Sequence, residues 1–209
     1  MEKSDMNLFD ILRHHVAAQP QAIASRSSRR VVTYRKFWSR IERGTARLKA
    51  EWGIKPGDTV AYWGRGHQDA LMLYMATARC GARLLPLEHA MLQQDAIALL
   101  KKYSPAILLH DDEIVFDTPP AVSRIVNLSS LIATRCHHTP SVDEDPTAIS
   151  LIDVRDGKEM TAQKLLHQAT HAGEGVQSEF RVDAALFDAV VFTPSVLPTL
   201  IAGGTIIFR

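Results

Sequence analysis

The chain has 209 residues, 46% of them hydrophobic and 22% charged, which is ordinary globular composition with room for one large core or two small ones. Its 24 basic and 23 acidic residues leave a formal charge of +1, so no global field points to nucleic acid or to an anionic membrane as partner. Two cysteines without CxxC spacing exclude a disulfide framework or a zinc ribbon and predict a reducing, cytoplasmic setting.

The N-terminal residues have no long apolar core, and no stretch approaches the ~20 apolar residues that span a bilayer, so neither secretion nor insertion is predicted. Residues 7–18 place Leu8, Ile11, Leu12 and Val16 on one helical face, with Asn7 as N-cap and Pro20 as the stop. The basic run Arg26 to Arg30 reads as a solvated loop. Thr33 caps a second helix, whose Phe37, Ile41, Ala46 and Leu48 face inward before Gly53. "GIKPGDTVAYW" is a turn followed by a strand, and "HQDALMLYMATARCGA" a helix closed by Gly81.

"ARLLPLE" is the next strand, "LQQDAIALLKKYSP" a helix ended at Pro105, and "AILLHDD" a further strand. "RIVNLSSL" adds another strand before the polar stretch "TRCHHTPSVDEDPT". Helices alternating with short, nearly continuous apolar strands predict an α/β fold, with a mainly parallel sheet flanked by helices. The composition shift sets boundaries at an N-terminal α/β subdomain of 1–135, a linker of 136–147 and a partial second subdomain of 148–209. Within the last, "DAVVFTPSVLPTLIAGGTIIFR" reads as two apolar strands, "AVVF" and "TIIF", flanking a Pro-bounded segment.

Few residues carry the patterns of chemistry. Gly64 and Gly66 in "WGRGHQD" begin a dinucleotide fingerprint, but Asp69 stands where the motif needs a small residue and would oppose a pyrophosphate, so the segment reads as a plain turn. Cys136, His137 and His138 are adjacent, and adjacent residues rarely give two ligands to one tetrahedral ion; no metal site is predicted. His14 and His15 fall near a helix surface, and no serine lies in a GxSxG elbow.

From about residue 8 to 112 the order of signals resembles the adenylate-forming superfamily of acyl-CoA synthetases, nonribosomal peptide synthetase adenylation domains and luciferases. The match lies in "VVTYRKFWSRIERGTARLKAEWGIKPGDTVAYWG", similar to that family's T-Y-x-E-L helix and G-V-x-x-G-D-x-V-A strand, and in "LYMATARCGARLLPLE", similar to its L-A-x-x-K-A-G-A-x-x-x-P-L-D segment. The resemblance implies AMP-forming acid–thiol ligation with ATP and magnesium, built on a Ser/Thr/Gly-rich phosphate loop. Aligned by its flanking strand and helix, "LIDVRDGKEMTAQKLL" takes that loop's place, yet it is short and carries Asp153 and Asp156 toward a polyphosphate.

Gly157, Lys158 and Thr161 are the residues of this turn that a residual phosphate contact would use. The family's P-x-x-H segment has no histidine between Pro194 and Gly203. The resemblance thus predicts a truncated acyl-CoA synthetase-like chain with no catalytic residue and no bound cofactor. Unable to form acyl-adenylates alone, it would act as a scaffold through a protein partner or as a homo-oligomer. Two alternatives stand beside this: one part of a split ligase completed by another polypeptide, and a small nucleotide-binding protein using "GRGH".

Overall fold

The computed structural model describes residues 7–117, 120–133, 144–171, 178–183 and 185–209. Cys136, His137 and His138, with the linker as far as 143, lie outside the described residues.

Helix α1 (Leu8–Ala18) begins in a capping box, with the Asn7 side chain accepting from the Phe9 and Asp10 amides and Asp10 reaching back to the Asn7 amide. A short hairpin follows, β1 (Ile23–Arg26) and β2 (Val31–Thr33), so the expected basic loop is a strand end at Arg26 and then a turn. Thr33 caps α2 (Tyr34–Ala46), which closes in a π-helical turn over Arg47–Glu51. The chain continues through β3 (Thr59–Gly64), α3 (Gln68–Arg79), β4 (Arg83–Glu88), α4 (Gln93–Tyr103), β5 (Ile107–His110), β6 (Ile125–Asn127) and the short α5 (Ser130–Ala133). Then come β7 (Ile149–Ile152), β8 (Glu159–Thr161), α6 (Ala162–His171), β9 (Glu179–Val182), α7 (Ala189–Val191), α8 (Leu197–Ile201) and β10 (Thr205–Phe208).

The described strands form two sheets, one in the order β2-β1-β10-β9 and one in the order β6-β5-β3-β4-β7-β8. All neighbours are parallel except the hairpins β1–β2 and β7–β8. The α/β class with a mainly parallel sheet therefore holds, and the apolar continuity of β3, all six of whose residues are buried, is the signature of a strand covered on both faces.

Alternation along β3 divides the core. Val60 and Tyr62 pack with α1, α2 and α3, while Ala61 and Trp63 pack with Ala96 and Leu100 of α4 on the opposite face. Helix α3 is buried over all of its residues except Asp69. Gln68 at its start bonds Ser25 of β1, and Tyr74 meets Phe192 edge-on, so α3 joins the two sheets.

Sequence and structure part at "AVVF", expected as a strand. Asp188 accepts from the Val190 amide and starts α7, which runs through a π-helical turn at Phe192–Val196 into α8. The extended preference of two valines is overridden because the helix buries Phe192, Val196, Leu197 and Leu200 completely. The wider turn accommodates Pro194, which has no amide to offer an α-helical ladder.

Among the described residues, no helix is long and apolar enough to cross a membrane.

Candidate functional site

Parallel strands bring their C-terminal ends to one side of a sheet, and the loops leaving them enclose the usual ligand crevice of open α/β folds. Here the loops after β1, β3, β4, β5, β7 and β9 and the end of β10 surround a cavity of about 1000 Å³. Tyr62, Leu87, Leu186, Phe187 and Phe208 give it an apolar surface. Its charged rim is internally matched: Arg30 to Asp69 at 2.7 Å, Arg65 to Glu113 at 3.0 Å, Arg209 to Asp183 at 2.8 Å, and Arg155 to both Asp153 and Asp188 at 3.0 Å. The rim thus offers few uncompensated charges to an anion.

One polar network stands at the mouth. Asp111, just past β5, accepts from the Arg65 amide at 2.7 Å, from the Tyr62 hydroxyl at 3.0 Å and from His67 Nε2 at 3.0 Å. The other His67 nitrogen, Nδ1, accepts from the Asp69 amide at 3.1 Å and so caps α3. An amide can only donate, which fixes the neutral tautomer of His67 with its proton on Nε2. Burial works against the Asp111 charge, but the bonds from His67, Arg65 and Tyr62 outweigh it and hold the carboxyl below its ordinary pKa. Burial, reinforced by Asp111, pushes the Tyr62 phenol well above its ordinary value.

With both imidazole nitrogens engaged, this is a structural corner, not a base waiting for a proton. The same corner explains the glycines of "WGRGH". A Cβ on Gly64 would stand 2.3 Å from Asp111 Oδ2, and one on Gly66 would stand 2.4 Å from the Leu186 Cβ and 2.8 Å from its backbone nitrogen. Both glycines accommodate this chain's own residues where a dinucleotide fingerprint would leave room for pyrophosphate. Asp69 is held by Arg30, with Arg40 at 3.5 Å.

The turn after β7 is where a phosphate loop would lie. It is not followed at once by a helix: β8 folds back on β7 as a hairpin, pairing Ile152 with Glu159 and Ile149 with Thr161, before α6 begins. Four of its six backbone amides over 153–158 are taken up locally, that of Asp153 by the Lys158 carbonyl at 2.8 Å. Asp153 Oδ1 accepts from the Arg155 amide at 3.0 Å, the Asp153 carbonyl from the Gly157 amide at 2.8 Å, and Asp156 Oδ1 from the Lys158 amide at 2.8 Å. Arg155, through its side chain first, also draws the Asp153 carboxyl below its ordinary pKa. Gly157 adopts φ +73°, the left-handed region that the tight turn requires.

Of the three residues the sequence singled out, Gly157 and Lys158 sit at the hairpin tip, outside the residues lining the cavity, with Gly157 close to Tyr103 at the end of α4. Thr161 is at the far end of β8, three residues or about 10 Å along an extended strand, where its hydroxyl caps α6 by accepting from the Lys164 amide at 3.1 Å. They do not converge on one point. The arrangement does not fit ATP phosphates, whose cradle needs several amides directed at the anion and free of other acceptors.

The sequence reading did not find the Asp111–His67–Tyr62 network, which joins residues up to 49 apart. The acids ending "AILLHDD" were its one local sign. His15, placed near a helix surface, bonds the Ile201 carbonyl at 2.9 Å through Nε2, and so ties α1 to α8.

A family model described as AMP-binding enzyme matches residues 12–193. A feruloyl-CoA synthase of Amycolatopsis sp is 26% identical over 210 residues, covering 91% of this chain and 41% of that protein. A nonribosomal peptide synthetase of Claviceps purpurea (strain 20.1) is 30% identical over 83 residues, covering 40% of this chain and 4% of that protein. Among solved structures, unliganded O-succinylbenzoate coenzyme A synthetase from Bacillus subtilis superimposes with a TM-score of 0.79 at 15% identity, over 95% of this chain and 43% of that one. The N-terminal subdomain of Klebsiella oxytoca NpsA gives 0.81 at 15% identity, over 97% of this chain and 53% of that one. At these identities the structural likeness speaks for the fold alone. The chain spans about two fifths of the length of the feruloyl-CoA synthase it matches.

Proposed function

Because this chain belongs to the AMP-binding enzyme family, we propose that it is an acyl-CoA synthetase-like module that does not form acyl-adenylates by itself and acts by binding a protein partner or a second copy, in the cytoplasm. One observation carries this reading: the turn at 153–158, in the phosphate loop's place, directs the amides of Arg155, Gly157 and Lys158 at its own Asp153 and Asp156. A triphosphate entering there would meet two carboxylates. At ~4 Å and an effective dielectric of ~20, each like-charge pair opposes binding by about 4 kcal/mol. The guanidinium of Arg155, in the same turn, is already held between Asp153 and Asp188.

A second reading keeps the chemistry but divides it, making the chain one part of an AMP-forming acid–thiol ligase that another polypeptide completes. It is favoured by the cavity at the strand ends and by β9, an edge strand whose one described neighbour is β10. The third reading, a small nucleotide-binding protein on "GRGH", loses its ground because Asp111 and Leu186 fill the space beside Gly64 and Gly66.

The test is ATP–pyrophosphate exchange by the purified chain with magnesium and a panel of carboxylic acids, aromatic acids included, together with calorimetric titration of ATP and AMP. We expect no exchange above the acid-free background and no saturable heat. Exchange by the chain alone would overturn the proposal, and exchange that appears only with an added co-purifying polypeptide would establish the divided ligase in its place.

A further inference from the structure

Helix α6 ends in the sequence His167-Gln168-Ala169-Thr170-His171. Residues four apart on a helix stand one turn above each other, and burial of Leu165 and Ala169 on the inner face leaves both histidines exposed on the outer one. Their rings lie nearly parallel, 4.0 Å apart between centroids with 23° between planes.

Local hydrogen bonds prepare one of the rings as a ligand. His171 Nδ1 lies 2.8 Å from the His167 carbonyl oxygen, to which the Thr170 hydroxyl also donates at 2.9 Å. A carbonyl can only accept, so Nδ1 carries the proton and the lone pair is on Nε2, the outward nitrogen. A backbone carbonyl fixing the tautomer of a histidine in this way is the usual outer support of a metal-bound imidazole. The His167 ring has no polar partner among the described residues and is equally available. His171 stands in the last turn of α6, toward the end of the helix dipole that favours a cation. Lys164, the one charged side chain of α6, is exposed to solvent.

We propose that His167 and His171 form a two-histidine clamp for a divalent transition-metal ion of the zinc, nickel and copper class, with water or a partner's side chain completing the coordination. The i, i+4 spacing brings the rings to 4.0 Å between centroids, within reach of one tetrahedral ion whose two nitrogens, each about 2.05 Å from it, stand about 3.3 Å apart; binding turns the two exposed rings from stacked to convergent. Neither histidine lines the crevice, and the site is independent of the reading of that crevice. Magnesium and calcium, which prefer oxygen ligands, are not expected to bind there.

The experiment titrates the full chain with zinc, nickel or copper ions alone, following the imidazole signals by two-bond proton–nitrogen correlation spectra and the affinity by calorimetry. One equivalent of zinc is expected to move the His167 and His171 signals together, with copper binding tighter than nickel or zinc and magnesium without effect. His167→Gln and His171→Gln should each weaken binding by about tenfold or more, at least the cost of losing an outer-shell partner, and His14→Gln should leave it unchanged. Because both histidines are exposed, the variants should melt with the parent. No joint shift of the two signals would overturn the clamp. So would an affinity unaltered by either substitution, which would put the ion elsewhere in the chain, or one altered by a single substitution only.

Discussion

Replacing Asp111 by asparagine tests whether the corner at the crevice mouth is held as described. The carboxylate, 11% exposed, accepts from a backbone amide, a phenol and an imidazole. An amide side chain keeps one accepting oxygen, which can serve Arg65, and turns an N–H toward His67 Nε2–H. His67 can relieve that clash only by moving its proton to Nδ1, and it then loses the α3 cap at the Asp69 amide. The two losses are alternatives, one unsatisfied donor at about 1–3 kcal/mol or a lost N-cap at about 1 kcal/mol, so the cost is about 2 kcal/mol. For a chain of this size that lowers the melting temperature by about 4–8 °C.

The assay is thermal and urea unfolding of parent and Asp111→Asn across pH. Since Asp111 has a folded pKa below its unfolded value near 3.9, its contribution is complete above pH ~5 and is lost as pH falls through the folded pKa. The gap between the two proteins should therefore be widest at neutral pH and close below pH ~4. Equal melting temperatures at pH 7, or a gap that grows on acidification, would refute the network.

Two further substitutions probe other joints. Glu144, 11% exposed, accepts from Arg13 through both Nη atoms and from Arg79, each at 2.8 Å, while both guanidinium groups lie against the Trp38 ring. Glu144→Gln should cost about 2–3 kcal/mol, less than a fully buried pair because Arg13 is 40% exposed, and circular-dichroism melts should show the loss shrinking below pH ~4, since the bonds to Arg13 and Arg79 outweigh burial and keep the carboxyl pKa low. Gly66→Ala forces a methyl against the Leu186 backbone and should lower stability by about 1–3 kcal/mol, read as a lower urea midpoint at an unchanged slope.

Local signals made much of the fold legible. Asn7 and Thr33 cap α1 and α2 as their side-chain chemistry predicts, and the runs in β3, β4 and β5 read as covered parallel strands because both their faces are buried. What escaped depends on distant partners. Glu179–Val182 has no strong period of its own and becomes a strand only beside β10, while "AVVF" is helical because of what Phe192 packs against. At the crevice, the acids of the turn were visible in the sequence, but not that they would engage the turn's own amides. Glu144 fell within a stretch read as linker, and the guanidinium groups that anchor it arrive from α1 and α3. The HxxxH spacing in α6 was present in the sequence from the outset and was passed over; burial of Leu165 and Ala169 is what shows that both histidines face outward.

The pairing of β1 with β10 bears on the order in which the molecule can be made. Thr205 donates to the Ile23 carbonyl across 182 residues of chain, and β1 has no parallel neighbour until Thr205–Phe208 arrives. Closing a loop of that length costs about 5 kcal/mol of chain entropy beyond a constant, which nothing in the β1–β2 hairpin can offset alone. During synthesis β3, β4 and β5 can assemble on the ribosome long before the four-stranded sheet is complete, and β1 waits with an open edge throughout. During that interval the unpaired edge of β1 is open to pairing with the wrong strand, which β10 closes off in the finished fold.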